Sequence, residues 1–355
     1  MITNPLPIIH LTPPNLSPDR LERKIVCTRP SRDGGFRVAA GVTGGKLIAH
    51  NYGHGGSGWT RLFGCVALLM QKIDAVMMQH PTFKGQPVVV IGAGCMGLLS
   101  AITLTERGYR VRIVAKEFEN LASHNGAGVF APSGTKAQPE KIPVITQVNH
   151  DSWHVYQTVI KGQHPFLTTE AAKSLPTYVS NCPDLGFEGF ITQGLLAGPR
   201  RVIVDFGNGV THQMHEYHSV FINTTVMMQQ LQERVAQLGI AREQIEVQAF
   251  SQLPEDIIIN CAGLGAAALC FDSYLVPEAG HLIQLKNQPA DQMQYVIQTK
   301  VKQLNQERHV YFTPKNGGFL GVTYFKGRRV GRVDDELQFE LLLQRARQFF
   351  GGVLT

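Results

Sequence analysis

The chain has 355 residues, 43% of them hydrophobic, with a net charge of +6 and no dense Lys/Arg block. That is enough to bury the cores of two domains, and it favours a mild attraction for anionic ligands over a nucleic-acid surface. No uninterrupted apolar stretch approaches the ~18 residues of a membrane span, the N-terminus lacks the basic start and apolar core of a secretory signal, and six scattered cysteines without a CxxC pair fit reduced thiols in a cytoplasmic setting.

Residues 1–24 are Pro-rich (Pro5, Pro7, Pro13, Pro14, Pro18) and read as an extended arm. The next feature is Arg29-Pro30-Ser31-Arg32, in which a guanidinium beside a stiff backbone makes a fork for a carboxylate. By itself this is also what an exposed arginine pair looks like. His50-Asn51-Tyr52-Gly53-His54-Gly55-Gly56-Ser57-Gly58-Trp59-Thr60 follows, then a helical run over 62–70. A glycine-rich turn before a helix leaves backbone amides exposed and suits an acceptor on which negative charge develops. The glycines keep His50 and His54 off a common helical face, so packing within the turn is expected of them and metal binding is not.

Pro87-Val88-Val89-Val90-Ile91 is an apolar run of the kind a strand covered on both faces shows. Gly92-Ala93-Gly94-Cys95-Met96-Gly97 comes next, with Leu98, Ala101, Ile102 and Thr105 at helical spacing, Gly108 as the stop and a second apolar run over 111–115. This is a β-turn-α-β unit with a GxGxxG turn. Gly92 permits the turn, Gly94 lets a pyrophosphate approach the backbone and Gly97 lets helix and strand pack closely. The residue ending the second strand is usually an acid that grips a ribose. Here Lys116 stands there and Glu117 follows, so either Glu117 serves after a one-residue shift or Lys116 meets a phosphate. The motif alone does not separate NAD from FAD.

Further on, 230–239 reads as a helix, 245–250 as a strand and 256–260 as a buried strand ending in Cys261-Ala262-Gly263-Leu264-Gly265. Alternating segments at 201–206, 281–285, 309–313 and 319–325 predict an antiparallel sheet in a second domain. Residues 336–350 carry apolar positions at helical spacing.

Together these pieces resemble the D-amino-acid oxidase family of FAD enzymes, over about residues 25–350. Residues 50–56 are close to that family's glycine signature. In the family an Arg-Pro-x-Arg segment and this signature come after the dinucleotide domain; here they precede it. The remaining pieces keep family order: 88–97, Gly126-Ala127-Gly128-Val129-Phe130-Ala131-Pro132, 257–265 and Tyr311-Phe312-Thr313-Pro314. The resemblance therefore implies a circular permutation, cut between Phe350 and about Arg29, with 71–87 as the joining segment.

The fold implied is α/β: a Rossmann-like FAD-binding domain (25–135 and 225–275), an inserted mixed or antiparallel substrate domain (136–224 and 276–335), and a C-terminal helix (336–355) packing on the FAD domain. The resemblance carries roles to individual residues. Arg29 and the Tyr311 hydroxyl hold a substrate carboxylate, and the Gly56 carbonyl accepts from its amine. Gly92, Gly94, Gly97, Lys116, Glu117, Ala127, Gly128, Gly263, Gly55, Gly58 and Thr60 hold FAD, with Thr60 at the flavin O2 edge. Ser133 replaces a pocket tyrosine, His281 a glutamine near the domain junction, and Tyr324 stands where the acidic-substrate branch carries an arginine. The implied reaction oxidises a small D-amino acid by hydride transfer to flavin N5, with oxygen as second substrate, giving imino acid, then 2-oxo acid and ammonia, and hydrogen peroxide. A glycine- or sarcosine-type amine oxidase and a flavin-binding relative without turnover are the alternatives, and homo-oligomerisation stays open.

Overall fold

The apolar run before the glycine turn forms strand Val88–Ile91, all four residues buried. A computed structural model describes residues 5–133, 138–181, 185–327 and 334–351. Among these, Val88–Ile91 sits inside a six-stranded sheet ordered Ala241–Gln244, Val111–Ala115, Val88–Ile91, Ile257–Asn260, Lys46–Tyr52 and Arg37–Thr43. The first five are parallel; the last joins as an antiparallel hairpin partner. The central strands are apolar on both faces because helices cover one side and the segment 245–253, with Ala262 and Leu269, covers the other.

Helix Cys95–Glu106 follows the turn, and Gly108 at φ 89 ends that segment in the left-handed region. Helix Leu62–Gln79 runs well past the expected 62–70 and takes in part of the segment read as a joiner. It is long and apolar enough to cross a membrane. Here its apolar face lies buried, packed on helix Ile142–Ile160 and on the hairpin strands.

The second sheet has ten strands and is mixed. Its long spine is the antiparallel pair Leu21–Arg32 with Leu275–Leu285, flanked by Phe319–Gly321 and Gln306–Thr313. Two expectations about domain membership are corrected. Residues 21–32 belong to this sheet, not to the dinucleotide sheet, because their backbone is paired along its length with Leu275–Leu285. The N-terminal arm is extended as expected, and its Ile8–His10 adds a parallel edge strand beside Arg200–Asp205. Helix Asp335–Phe350 packs on the ten-stranded sheet, not on the FAD-binding side. Its Phe339, Leu342, Ala346, Phe349 and Phe350 complete a core with Ile283, Phe312 and Leu320.

The strand expected at 245–250 forms earlier, as the exposed polar strand Ala241–Gln244. An edge strand is fixed by its backbone ladder, here to Val111–Ala115, and the apolar residues after it pack beneath.

Candidate active site

Parallel strands end together, and ligands of open α/β sheets bind beyond their carboxyl ends. In this chain Gly53, Gly92, Lys116 and Cys261, each the residue following a parallel strand, line one cavity of about 980 Å³. One end is walled by Lys116, Glu117, Glu246 and Gln248, the other by Arg29, Gly56, Gln298 and Tyr311.

The glycine turn is built as its spacing requires. A Cβ on Gly97 would lie 1.9 Å from the Gly92 carbonyl oxygen, so only glycine lets the helix start this close to the strand. Gly94 caps helix Cys95–Glu106 with no side-chain bond, leaving first-turn amides at the cavity wall, although the Cys95 N–H donates to Ser123 Oγ at 3.1 Å. A wall of glycines with bare amides and no fixed acid suits a pyrophosphate. At the far end Lys116 Nζ is 2.8 Å from Glu246 Oε1. Glu246, from the segment after the edge strand, thus supplies an acid at the end where the second strand carries Lys116. Gly55, Gly58, Ala127, Gly128 and Gly263 line the same cavity.

Thr60 does not line the large cavity. Its hydroxyl accepts from the Ala131 N–H at 3.2 Å and points at the Val129 carbonyl at 3.4 Å, fixing that loop, and it lines a second, adjoining cavity of about 440 Å³. Ser133 lines the smaller cavity too. The two cavities share walls, among them Gly56, Gln298, Tyr311 and Tyr324.

Arg29 is held from three sides. Nη2 donates to the Thr323 carbonyl at 2.7 Å, the guanidinium lies 4.5 Å from the Tyr324 ring centre, and Nε is 3.7 Å from Glu278 Oε2. Nη1 remains on the side of Gly56, where a Cβ would stand 3.8 Å from it. Arg32, the other half of the motif, is taken by Asp272 at 2.9 Å, whose same oxygen accepts from the Tyr52 hydroxyl. Of the two arginines, only Arg29 therefore serves the cavity. Burial, with Tyr324 adding to it, pushes the Tyr311 phenol well above its ordinary range, so it is a neutral donor.

His50 and His54 do not form a metal pair. His54 stacks on Phe36 at 5.3 Å, and burial lowers its pKa to about 3. His50 neighbours Asn260 and Cys270, with a pKa lowered to about 4 by burial and then by Arg37. Among the described residues no group of three or more His, Cys, Asp or Glu side chains is placed to hold a metal. His281, expected near the pocket, points the other way. It is fully buried, with Nδ1 2.6 Å from Thr323 Oγ1 and Nε2 2.9 Å from Asp335 Oδ1.

Three contributors were missed from sequence. Thr323 acts through its backbone, which sequence does not mark. Glu278 stands directly opposite Arg29 on the paired strand. Gly280 makes room for Arg29, since a Cβ there would meet Nη2 at 2.7 Å. A glycine inside a strand was the available signal for a close approach.

A parallel sheet whose strand ends converge on a glycine turn, joined to a mixed sheet that closes the cavity with an arginine and a tyrosine, defines the dinucleotide-binding class of α/β proteins. The family described as FAD dependent oxidoreductase (DAO) matches residues 87–355, and the chain belongs to it. Among curated relatives are D-amino-acid oxidases of Streptomyces coelicolor, 26% identical over 203 residues, and of Rubrobacter xylanophilus, 25% identical over 252 residues. The matches cover 56% and 68% of this chain, and 59% and 70% of those proteins. The chain thus spans less than two thirds of the first. A solved iminodiacetate oxidase from Chelativorans sp. BNC1 shares the fold, with a TM-score of 0.53 and 20% identity, covering 75% of this chain and 79% of that one.

Proposed function

We propose that the protein oxidises a small D-amino acid at the junction of the two cavities. One observation carries this reading: Arg29, Gly56 and Tyr311, far apart in sequence, come from three segments that meet there. Arg29 Nη1 and the Tyr311 hydroxyl hold the carboxylate, and the Gly56 carbonyl accepts from the amine. Three contacts fix a zwitterion in position and orientation, which is the larger part of what a site without a side-chain base has to contribute.

FAD lies along the large cavity in this reading. Gly92 and Gly94 face the pyrophosphate, with Gly97 packing behind them, and Lys116, Glu117 and Glu246 stand at the adenosine end. Gly55, Gly58, Ala127, Gly128 and Gly263 flank the ring. Thr60 acts from behind, by fixing the 129–131 backbone. Bound FAD supplies a two-electron acceptor for the α-hydrogen as hydride and returns the pair to oxygen as hydrogen peroxide. The imino acid released hydrolyses to a 2-oxo acid and ammonia.

The chain order is a circular permutation of the family arrangement. Two observations support it: the family match begins at residue 87, directly before strand Val88–Ile91, and the segments ahead of it, Leu21–Arg32 and Lys46–Tyr52, are integral strands of the two sheets around the cavity. A site is a spatial object, so reordering its segments leaves it whole. The test is peroxide release from purified holoenzyme with a panel of D-, L- and N-methyl amino acids. Turnover of D-amino acids supports the reading. Turnover confined to glycine and N-methyl amines, or none at all, overturns it.

A further inference from the structure

Strand Leu275–Leu285 sends Glu278, Gly280 and Leu282 to one face, since alternate residues share a side. Gly280 and Leu282 line the large cavity, while Glu278 lines only the smaller one. The smaller cavity therefore continues outward from the site, past Gly56, Tyr311 and Tyr324, to a carboxylate.

Glu278 is not used up by the protein. Its Oε2 accepts from Ser31 Oγ at 3.0 Å and faces Arg29 Nε at 3.7 Å, and that Nε makes no hydrogen bond. Among the described residues nothing donates to Oε1. Other charged side chains on this wall are already engaged. Arg32 is bound to Asp272, Lys326 is paired with Asp33, and Arg61 is bonded to Ser57, Asn149 and the Pro132 carbonyl. What remains open to a ligand is the Nη1 edge of Arg29 at one end and an oxygen of Glu278 at the other.

We infer that Glu278 is a specificity-determining residue that receives a cationic group at the end of the substrate side chain, making amino acids with basic side chains the preferred substrate class. The inference rests on the proposed amino-acid reading, with the substrate carboxylate at Arg29 and the side chain directed into the smaller cavity. An α-ammonium at Glu278 is disfavoured, because the α-carbon belongs in the large cavity and Glu278 is not on its wall. A side chain that brought a second negative charge to Glu278 would meet repulsion there.

Two measurements on the holoenzyme test this. The first needs no turnover: thermal shift with 6-aminohexanoate and with hexanoate, carboxylates that lack an α-amine. Wild type should bind the amino compound roughly tenfold or more tightly, as a charge-assisted hydrogen bond implies, and Glu278→Gln should bring the two together. Equal binding by wild type overturns the inference even where D-amino acids are oxidised. The second compares kcat/KM for D-lysine and D-norleucine, with D-glutamate as the acidic control. The lysine preference should fall about tenfold in Glu278→Gln and pass to D-glutamate in Glu278→Lys. A preference unchanged by both variants overturns the inference, as does a shifted pH profile on D-norleucine in Glu278→Gln, which would make Glu278 the acceptor of the α-ammonium proton. Failure of every amino acid to turn over, with the carboxylate discrimination intact, removes the amino-acid reading alone.

Discussion

Arg29 reaches the cavity through the space that Gly280 leaves open. Its Nη2 donates to the Thr323 carbonyl at 2.7 Å, and a Cβ at position 280 would stand 2.7 Å from that Nη2 and 3.0 Å from that carbonyl. Gly280→Ala must therefore push the guanidinium or the 323 backbone aside, at about 1–3 kcal/mol for a tight site. Steady-state kinetics should show KM raised roughly tenfold or more while the flavin spectrum stays that of wild type. An unchanged KM would mean that Arg29 does not hold the substrate.

Arg29 itself gives the sharper loss. Arg29→Ala removes a charge-assisted pair worth about 1.5–3 kcal/mol, roughly one to two orders of magnitude in KM. Arg29→Lys should recover little of it, because an ammonium cannot bond the Thr323 carbonyl and present a planar edge to a carboxylate at once. Full activity in either variant contradicts the assignment.

Gly97→Ala tests the cofactor turn. A methyl 1.9 Å from the Gly92 oxygen forces the helix start away from strand Val88–Ile91. The purified variant should carry little or no FAD, read from the ratio of visible to protein absorbance. Stoichiometric FAD in this variant would place the pyrophosphate elsewhere.

Buried histidines set the acid limit of stability. Burial lowers His54 to about 3 and both His50 and His164 to about 4, against about 6.5 in the unfolded chain. The unfolded state therefore binds more protons between about pH 6.5 and 4. Their contribution is complete above 6.5 and lost as pH falls through that window. Asp272 and Glu255 have pKa values lowered by their arginine partners against the cost of burial, so they add losses only at lower pH. Melting temperature should drop between pH 7 and 4.5, and the drop should be smaller in His54→Gln. An identical drop in that variant would show that His54 is not buried neutral.

The dinucleotide half of the fold was legible because its signals are local. An apolar run, a glycine turn and a 3.6-residue period lie within one short stretch, and Val88–Ile91, Cys95–Glu106 and Val111–Ala115 match them. The roles proposed for Arg29, Gly56 and Tyr311 rest on residue types and neighbours that resemble a known signature, and the structure brings the three segments to one cavity. What failed was non-local. Strand Leu21–Arg32 owes its sheet to a partner some 250 residues away, and its sequence does not name that partner. The C-terminal helix shows a clear apolar stripe but not which sheet it covers. Thr323 works by a carbonyl that every residue possesses. Tyr324 could not be read as the lid on Arg29, because a ring stacked on a guanidinium is a property of two segments distant in sequence and not of either one.

The central claim is that amine oxidation takes place where the two cavities meet, and its most direct test is the visible spectrum of purified holoenzyme under anaerobic conditions. A flavin band that bleaches on adding a mixture of D-amino acids, returns when air is admitted, and bleaches in Arg29→Ala only at far higher concentration is the predicted result. A yellow protein whose band no amino acid bleaches would contradict the claim and leave a flavin-binding protein without this turnover.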